Sequence, residues 1–175
     1  MQPENFPART VCRSEGKTRM NDNTAIRPVT RGDLPALKGV IDATGLFPSE
    51  MLDEMTSGYL DAGSGDDTWL TWDEGGPKAV AFCAPEKLAA GTWNLYLIAV
   101  HPEHQGRGVG AALLRHVERS LAGRGERLLL VETSGLPEFE RTRAFYVKCG
   151  YEEEARIRDF YDAGDDKVVF RKTLR

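Results

Sequence analysis

The sequence predicts an α/β domain built on one twisted sheet, part antiparallel and part parallel, with helices on both sides. Three observations carry this. Two strand-like runs are joined by a turn-rich segment short enough for a hairpin. Later strand-like runs alternate with helical ones, as parallel crossovers require. The run RLLLVE, Arg127 to Glu132, is nearly all apolar, the pattern of a strand buried on both faces.

The elements follow in order. Ala25 to Val29 reads as a short strand, and Thr30 with Asp33 matches the capping signature of a helix start. Leu34, Leu37, Val40 and Ile41 give that helix its apolar stripe, and Met51, Leu52, Met55, Tyr59 and Leu60 give a second helix after Pro48 and Ser49. The segment GSGDD, 63–67, is a turn. TWLTW (68–72) and KAVAFCA (78–84) form a hairpin around DEGGP, and TWNLYLIAV (92–100) extends the sheet. A long helix ending near Gly123 carries Val109, Leu113, Val117 and Leu121 at four-residue steps; the buried strand and a helix from Glu138 to Cys149, closed by Gly150, come next. EARI (154–157) and KVVFRKTL (167–174) then flank a turn containing DAGDD.

At 175 residues, with 41% hydrophobic and 29% charged residues, the chain fits one domain with one core, placed at 25–175. Residues 1–24 are polar, lack the apolar stretch of a secretory signal and read as a disordered leader. Met20 leaves open whether residues 1–19 belong to the native protein. No apolar run approaches the ~20 residues of a membrane span. A net charge of −4 argues against a dedicated nucleic-acid binder, so any anion site must be local. Cys12, Cys83 and Cys149 are too few and too scattered for a disulfide framework, and no metal-ligand spacing is present. A cytoplasmic setting without a metal is the expectation.

The stretch AVHPEHQGRGVGAALL, beginning at Ala99, sets three glycines at alternate positions between a strand and a helix. Unpaired N–H groups, the helix dipole and bare backbone together suit a pyrophosphate. The dinucleotide fingerprint fails because Ala111 occupies its last glycine place, and the Gly-Lys-Ser/Thr of an NTPase loop is missing.

Gln105-Gly106-Arg107-Gly108-Val109-Gly110 does match Q/R-x-x-G-x-G/A. Together with the strand ending at Val100, the His101-Pro102-Glu103 turn, the apolar strand around Leu129 and AFYVKCGY (144–151), it makes the chain from about Ala25 onward resemble the GNAT superfamily of N-acetyltransferases. The resemblance implies a V-shaped gap between two central parallel strands and acetyl-CoA as cosubstrate. Ile98 and Val100 would line the gap, and Gln105, Gly106, Arg107, Gly108, Val109, Gly110 and Ala111 would hold pantetheine and pyrophosphate. Arg107 has a second reading as a solvated helix-start residue. Tyr146 would protonate the departing thiolate as general acid; taken as an isolated aromatic beside Phe145 and Cys149 it reads as core, and the family position is what turns the reading to catalysis.

Two departures from the family pattern matter. Asn94 stands where some members carry a glutamate base, so Glu132 is the candidate base, directly or through water, or else a structural carboxylate. Phe139 stands where an asparagine commonly leads the helix, with Thr142 or Arg143 as substitutes for its contact. The family places the acceptor between the segment joining the first two helices and the final hairpin turn. Glu50, Asp53 and Glu54 on one side, with Asp159, Asp162, Asp165 and Asp166 on the other, would attract a cationic amine or form a solvated acidic surface. His101 and His104 read as solvated turn residues, and Cys149 as a small core residue.

The implied reaction is direct acetyl transfer to a primary amine of a small molecule or a protein, by a monomer or homodimer without nucleic-acid or membrane partners. The alternative is a non-catalytic acyl-CoA-binding sensor or interaction module on the same fold.

Overall fold

The structure, a computed structural model, describes residues 25–62 and 66–174; the expected leader and part of the GSGDD turn lie outside them. Its elements run β1 (Ile26–Pro28), α1 (Leu34–Thr44), α2 (Met51–Ala62), β2 (Thr68–Asp73), β3 (Pro77–Pro85), β4 (Thr92–Val100), α3 (Val109–Gly123), β5 (Leu128–Ser134), α4 (Glu140–Lys148), β6 (Glu152–Asp162) and β7 (Asp165–Thr173). The strands form one sheet in the order β1-β2-β3-β4-β5-β7-β6. Among the described residues only β4 and β5 pair in parallel; the other neighbours are antiparallel. This is the mixed sheet the sequence predicts.

The Thr30–Asp33 signature caps a single 3-10 turn, Arg31–Asp33, which leads directly into α1. Thr30 N–H and Oγ1 donate to Asp33 Oδ2 at 2.7 and 2.8 Å, and the Arg27 guanidinium grips the same carboxylate with two bonds of 2.7 Å. Asp73 accepts two further bonds from Arg27, at 2.6 and 3.0 Å, so one arginine ties β1, the helix start and β2 together. The helix expected from Glu138 begins instead with a 3-10 turn at Pro137–Phe139, and α4 proper starts at Glu140. Proline supplies fixed helical φ but no N–H, which suits such a lead-in.

The sheet separates two hydrophobic clusters. On one side Leu113, Leu114, Val117 and Leu121 of α3 bury against Trp93, Leu95, Leu129, Val131 and Phe170. On the other, Leu37, Val40, Ile41 and Leu52 of α1 and α2 bury against Trp69, Val80, Leu97 and Ala99. β4 therefore feeds the α3 side with Trp93 and Leu95 but the α1 side with Leu97 and Ala99. The switch is a β-bulge: Phe82 pairs with Leu97 and Cys83 with Leu95, leaving Tyr96 as the extra residue.

β6 is much longer than the EARI segment and exposed along its whole length. As an edge strand it is blunted by charge at Glu152, Glu153, Glu154, Arg156 and Arg158. A wide irregularity reinforces this, with Ile157 opposite Lys167 and Asp162 opposite Asp165. Asp159 sits in that irregularity at φ 51°.

Candidate active site

The parallel ladder runs from Thr92–Leu128 to Leu95–Val131 and stops, although β4 continues to Val100 and β5 to Ser134. The strands part at the Tyr96 bulge and open a cleft of about 1340 Å³. Tyr96, Ile98 and Val100 line it from β4, Glu132 and Ser134 from β5, and Tyr146 from α4. Ile98 and Val100 reach it because the bulge has turned even-numbered side chains towards α3.

One end of the cleft is the glycine loop. Gly106 and Gly108 have φ of +71° and +86°, and no atom lies within 4 Å of where a Cβ would sit on either. These conformations favour glycine and leave the backbone bare towards the cleft. The first rung into α3 is Ala112 N–H to the Gly108 carbonyl at 2.9 Å, so the amides immediately before it precede the helical ladder. Gly106, Gly108, Val109, Gly110 and Ala111 all line the cleft. Gln105 also lines it, but its N–H donates to the Pro102 carbonyl at 3.2 Å and its Nε2 to the Val100 carbonyl at 2.9 Å. Gln105 thus ties the loop to the end of β4. Arg107 is exposed and is not among the cleft residues.

Tyr146 is both core and cleft. Only 4% exposed, its ring packs against Phe145, Tyr151 and Phe170 at centroid distances of 5.3, 5.9 and 5.7 Å. Among the described residues no group hydrogen-bonds its hydroxyl. Burial pushes the phenol well above the ordinary tyrosine range, which makes it a weaker acid than a free tyrosine. Below it, Tyr151 donates to Glu118 at 3.0 Å, and Lys172 donates to Glu118 at 2.8 Å and to the Cys149 carbonyl at 2.9 Å. Glu118, Cys149 and Lys172 also line the cleft. Sequence reasoning missed Glu118 and Lys172, which lie 54 residues apart.

Glu132 reaches the cleft but is paired with Lys167 at 2.8 Å; the Lys167 ammonium also lies 3.8 Å from the Phe160 ring centre. Phe139 and Thr142 line the wall, whereas Arg143 Nη1 donates to the carbonyls of Ser134 and Leu136 at 2.8 and 2.9 Å. Arg143 holds the β5–α4 connection.

The acidic residues do not converge. Asp165 lines the cleft and accepts from Ser134 Oγ at 2.5 Å. Asp53 is paired with Lys38 at 2.6 Å, Asp159 accepts from Gly164 N–H at 2.7 Å, and Asp166 faces Arg156 at 3.5 Å. Asp162 accepts from Ala163 N–H at 2.7 Å, and Glu50 and Glu54 are exposed and outside the cleft lining. The histidines are half-buried rather than solvated: His101 Nδ1 accepts from Glu103 N–H at 3.3 Å, and His104 lines the cleft.

Among the described residues no helix is long and apolar enough to cross a membrane. Residues 64–153 match the family model described as an acetyltransferase (GNAT) domain. A GNAT-family protein from Desulfovibrio desulfuricans is 32% identical, with a TM-score of 0.80 over 86% of this chain and 99% of that one. The ribosomal-protein-S18-alanine N-acetyltransferase from Escherichia coli is 24% identical, with a TM-score of 0.66 over 85% of this chain and 92% of that one. An aminoglycoside 6'-N-acetyltransferase complexed with coenzyme A is 15% identical, with a TM-score of 0.68 over 86% of this chain and 97% of that one. The last two are similarities of fold. None of the curated proteins matches the sequence. By family model and by a structural relative at this identity and coverage, the chain belongs to the GNAT family of acetyltransferases.

Proposed function

We propose that this protein transfers the acetyl group of acetyl-CoA directly to a primary amine. The observation that carries the reading is the continuity of one cleft from the bare glycine backbone, past the open edge of β4, to the buried Tyr146. Acetyl-CoA supplies a thioester carbonyl and a thiolate leaving group. The amides of the Gly106–Ala111 segment hold the pyrophosphate. Ile98 and Val100 flank the pantetheine arm, and the edge of β4 beyond Leu95, free of ladder bonds to β5, offers N–H groups to the carbonyl oxygen. Tyr146 protonates the thiolate: its phenol carries a proton at neutral pH and makes no competing bond within the described protein.

The acceptor enters at the other end of the cleft, where the Asp165 carboxylate and the Lys167-paired Glu132 stand beside Tyr96, Tyr161 and Leu46. That lining suits a cationic amine with an apolar flank, of a small molecule or a protein. It is a narrower acidic site than the seven carboxylates of the sequence reading would make. The N-acetyltransferases of similar fold act, by their names, on an alanine of a ribosomal protein and on an aminoglycoside, both amine acceptors.

The test is thiol release from acetyl-CoA across a panel of primary amines, run beside thermal unfolding with acetyl-CoA. At ~100 times its dissociation constant a ligand stabilises the fold by about 2.7 kcal/mol, which at this size raises the melting temperature by roughly 5–10 °C. Stabilisation with amine-dependent thiol release supports the transferase. Stabilisation alone, with no release from any amine, supports the sensor, and the absence of both removes acetyl-CoA from the cleft.

A further inference from the structure

A carboxylate just beyond the end of β3 lies against Asn94. Glu86 follows the end of β3, and its N–H donates to the Thr92 carbonyl at 2.8 Å, holding it alongside β4. Its Oε1 accepts from Asn94 Nδ2 at 3.0 Å and from the Tyr96 hydroxyl at 3.1 Å. Tyr96 is the bulge residue at the mouth of the β4–β5 gap, half exposed and on the cleft wall. Its ring is braced from behind by Phe82 at 5.6 Å, itself stacked on Trp69 at 4.2 Å. A hydroxyl at the acceptor end of the cleft is thereby fixed to a carboxylate outside it.

Asn94 adds an independent sign. It is 2% exposed, spends its amide donor on Glu86 and leaves Oδ1 sealed without a donor, at a cost of about 1–3 kcal/mol. A residue present only to fill space would avoid that cost; what the amide secures is the position of Glu86. Among the described residues the other charged group acting on Tyr96 is Glu132 across the gap, already claimed by Lys167. Among the described residues no lysine or arginine pairs with Glu86, whose carboxylate meets two neutral donors.

We propose that Glu86, acting through the Tyr96 hydroxyl, receives the proton that the acceptor ammonium must lose before attack. The N–H bond of the ammonium breaks as Tyr96 Oη takes that proton, and the nitrogen keeps the electron pair. The Tyr96 O–H bond breaks as Glu86 Oε1 takes the phenolic proton. Tyrosine ends as it began, Glu86 is left protonated, and its partly exposed carboxyl returns the proton to water. Tyr96 touches the substrate, and Glu86 is a positioning residue that works through it. This step rests on the proposed amine acetylation.

The experiment measures kcat and KM from pH 6 to 10 for wild type, Glu86→Gln, Tyr96→Phe, the double variant and Glu132→Gln, using whichever amine of the panel the wild type acetylates best. Acetyl-CoA affinity and melting temperature are measured alongside. The relay predicts that each single Glu86 or Tyr96 variant loses at least tenfold in kcat at pH 7 and that the double variant loses no more than either single one. It also predicts that the loss shrinks towards pH 10, where a primary amine is increasingly neutral without help. Tyr96→Phe keeps the ring on Phe82, so it preserves the test if Glu86→Gln unfolds.

Wild-type kcat and pH dependence in Tyr96→Phe overturn the relay. So does a loss equal at every pH, the mark of a structural role, or a pH-dependent loss confined to Glu132→Gln. A wild type that binds acetyl-CoA and releases thiol with no amine overturns the transferase reading and the relay together. Thiol release in wild type with unaltered variants overturns the relay alone.

Discussion

Tyr146 packs its ring, tilted, at 5.7 Å from that of Phe170 on β7, lines the cleft, and leaves its hydroxyl with no hydrogen-bond partner among the described residues. The proposed chemistry and the observed packing therefore fall on different atoms of one side chain. Tyr146→Phe should leave the melting temperature nearly unchanged and lower kcat at least tenfold, about 1.4 kcal/mol of transition-state stabilisation. Steady-state rates with acetyl-CoA affinity measured in parallel check this. Wild-type kcat with unaltered affinity would return Tyr146 to the core.

Phe170 is 1% exposed and supports Tyr146 from below. Phe170→Ala removes that support and opens a cavity, costing about 3–5 kcal/mol. Urea unfolding should register the loss. Residual folded protein should show reduced kcat, because the Tyr146 ring no longer has a fixed floor.

At the glycine loop, Gly108→Asp combines a strained φ with a carboxylate against the pyrophosphate. Gly108→Asn shares the strain, roughly 1–2 kcal/mol, without the charge. Both variants should unfold at slightly lower temperature than wild type. Only Asp should abolish the stabilisation by acetyl-CoA, and an undiminished shift in Asp would move the cofactor elsewhere.

Asp33 makes the stability of the fold depend on pH. The hydrogen bonds from the Arg27 guanidinium hold its carboxyl well below the usual carboxylate range, so the folded state binds the proton less readily than the unfolded one. Stability from this group is present above the unfolded value of ~3.9 and is lost as pH falls through the folded value. Asp33→Asn should cost about 2 kcal/mol at pH 7, with the difference narrowing below pH ~4. Denaturant unfolding at pH 7 and at pH 3 tests it, and an equal cost at both would exclude the charged pair as the source.

What the sequence made legible was set by burial. Thr92 to Val100 and the α3 repeat of Val109, Leu113, Val117 and Leu121 were read correctly because core contact imposes a pattern on them. β6 was read as four residues rather than eleven because both its faces are exposed and no alternation marks it. The Tyr96 bulge left no trace, since apolar residues lie on both faces of β4 and hide the change of phase. In the candidate site, the glycine loop and Tyr146 were visible as a local motif. The acidic residues misled: Asp53 and Asp166 are engaged by Lys38 and Arg156, 15 and 10 residues away, partners that only folding reveals. Glu86 was passed over for the same reason, because the hairpin is what carries it to Tyr96.

The bulge also fixes how this chain can vary in length. Every side chain of β4 after Tyr96 owes its facing to that one supernumerary residue. Deleting or adding a residue between Asn94 and Ile98 would exchange the two faces downstream. Ile98 and Val100 would turn into the α1 side, Leu97 and Ala99 would be pushed into the cleft, and the glycine loop would leave the strand half a turn out of aim. Surface turns such as 73–76 can absorb an insertion, whereas the stretch 94–98 has an obligatory count, and homologues that keep this cleft should show gaps everywhere but there.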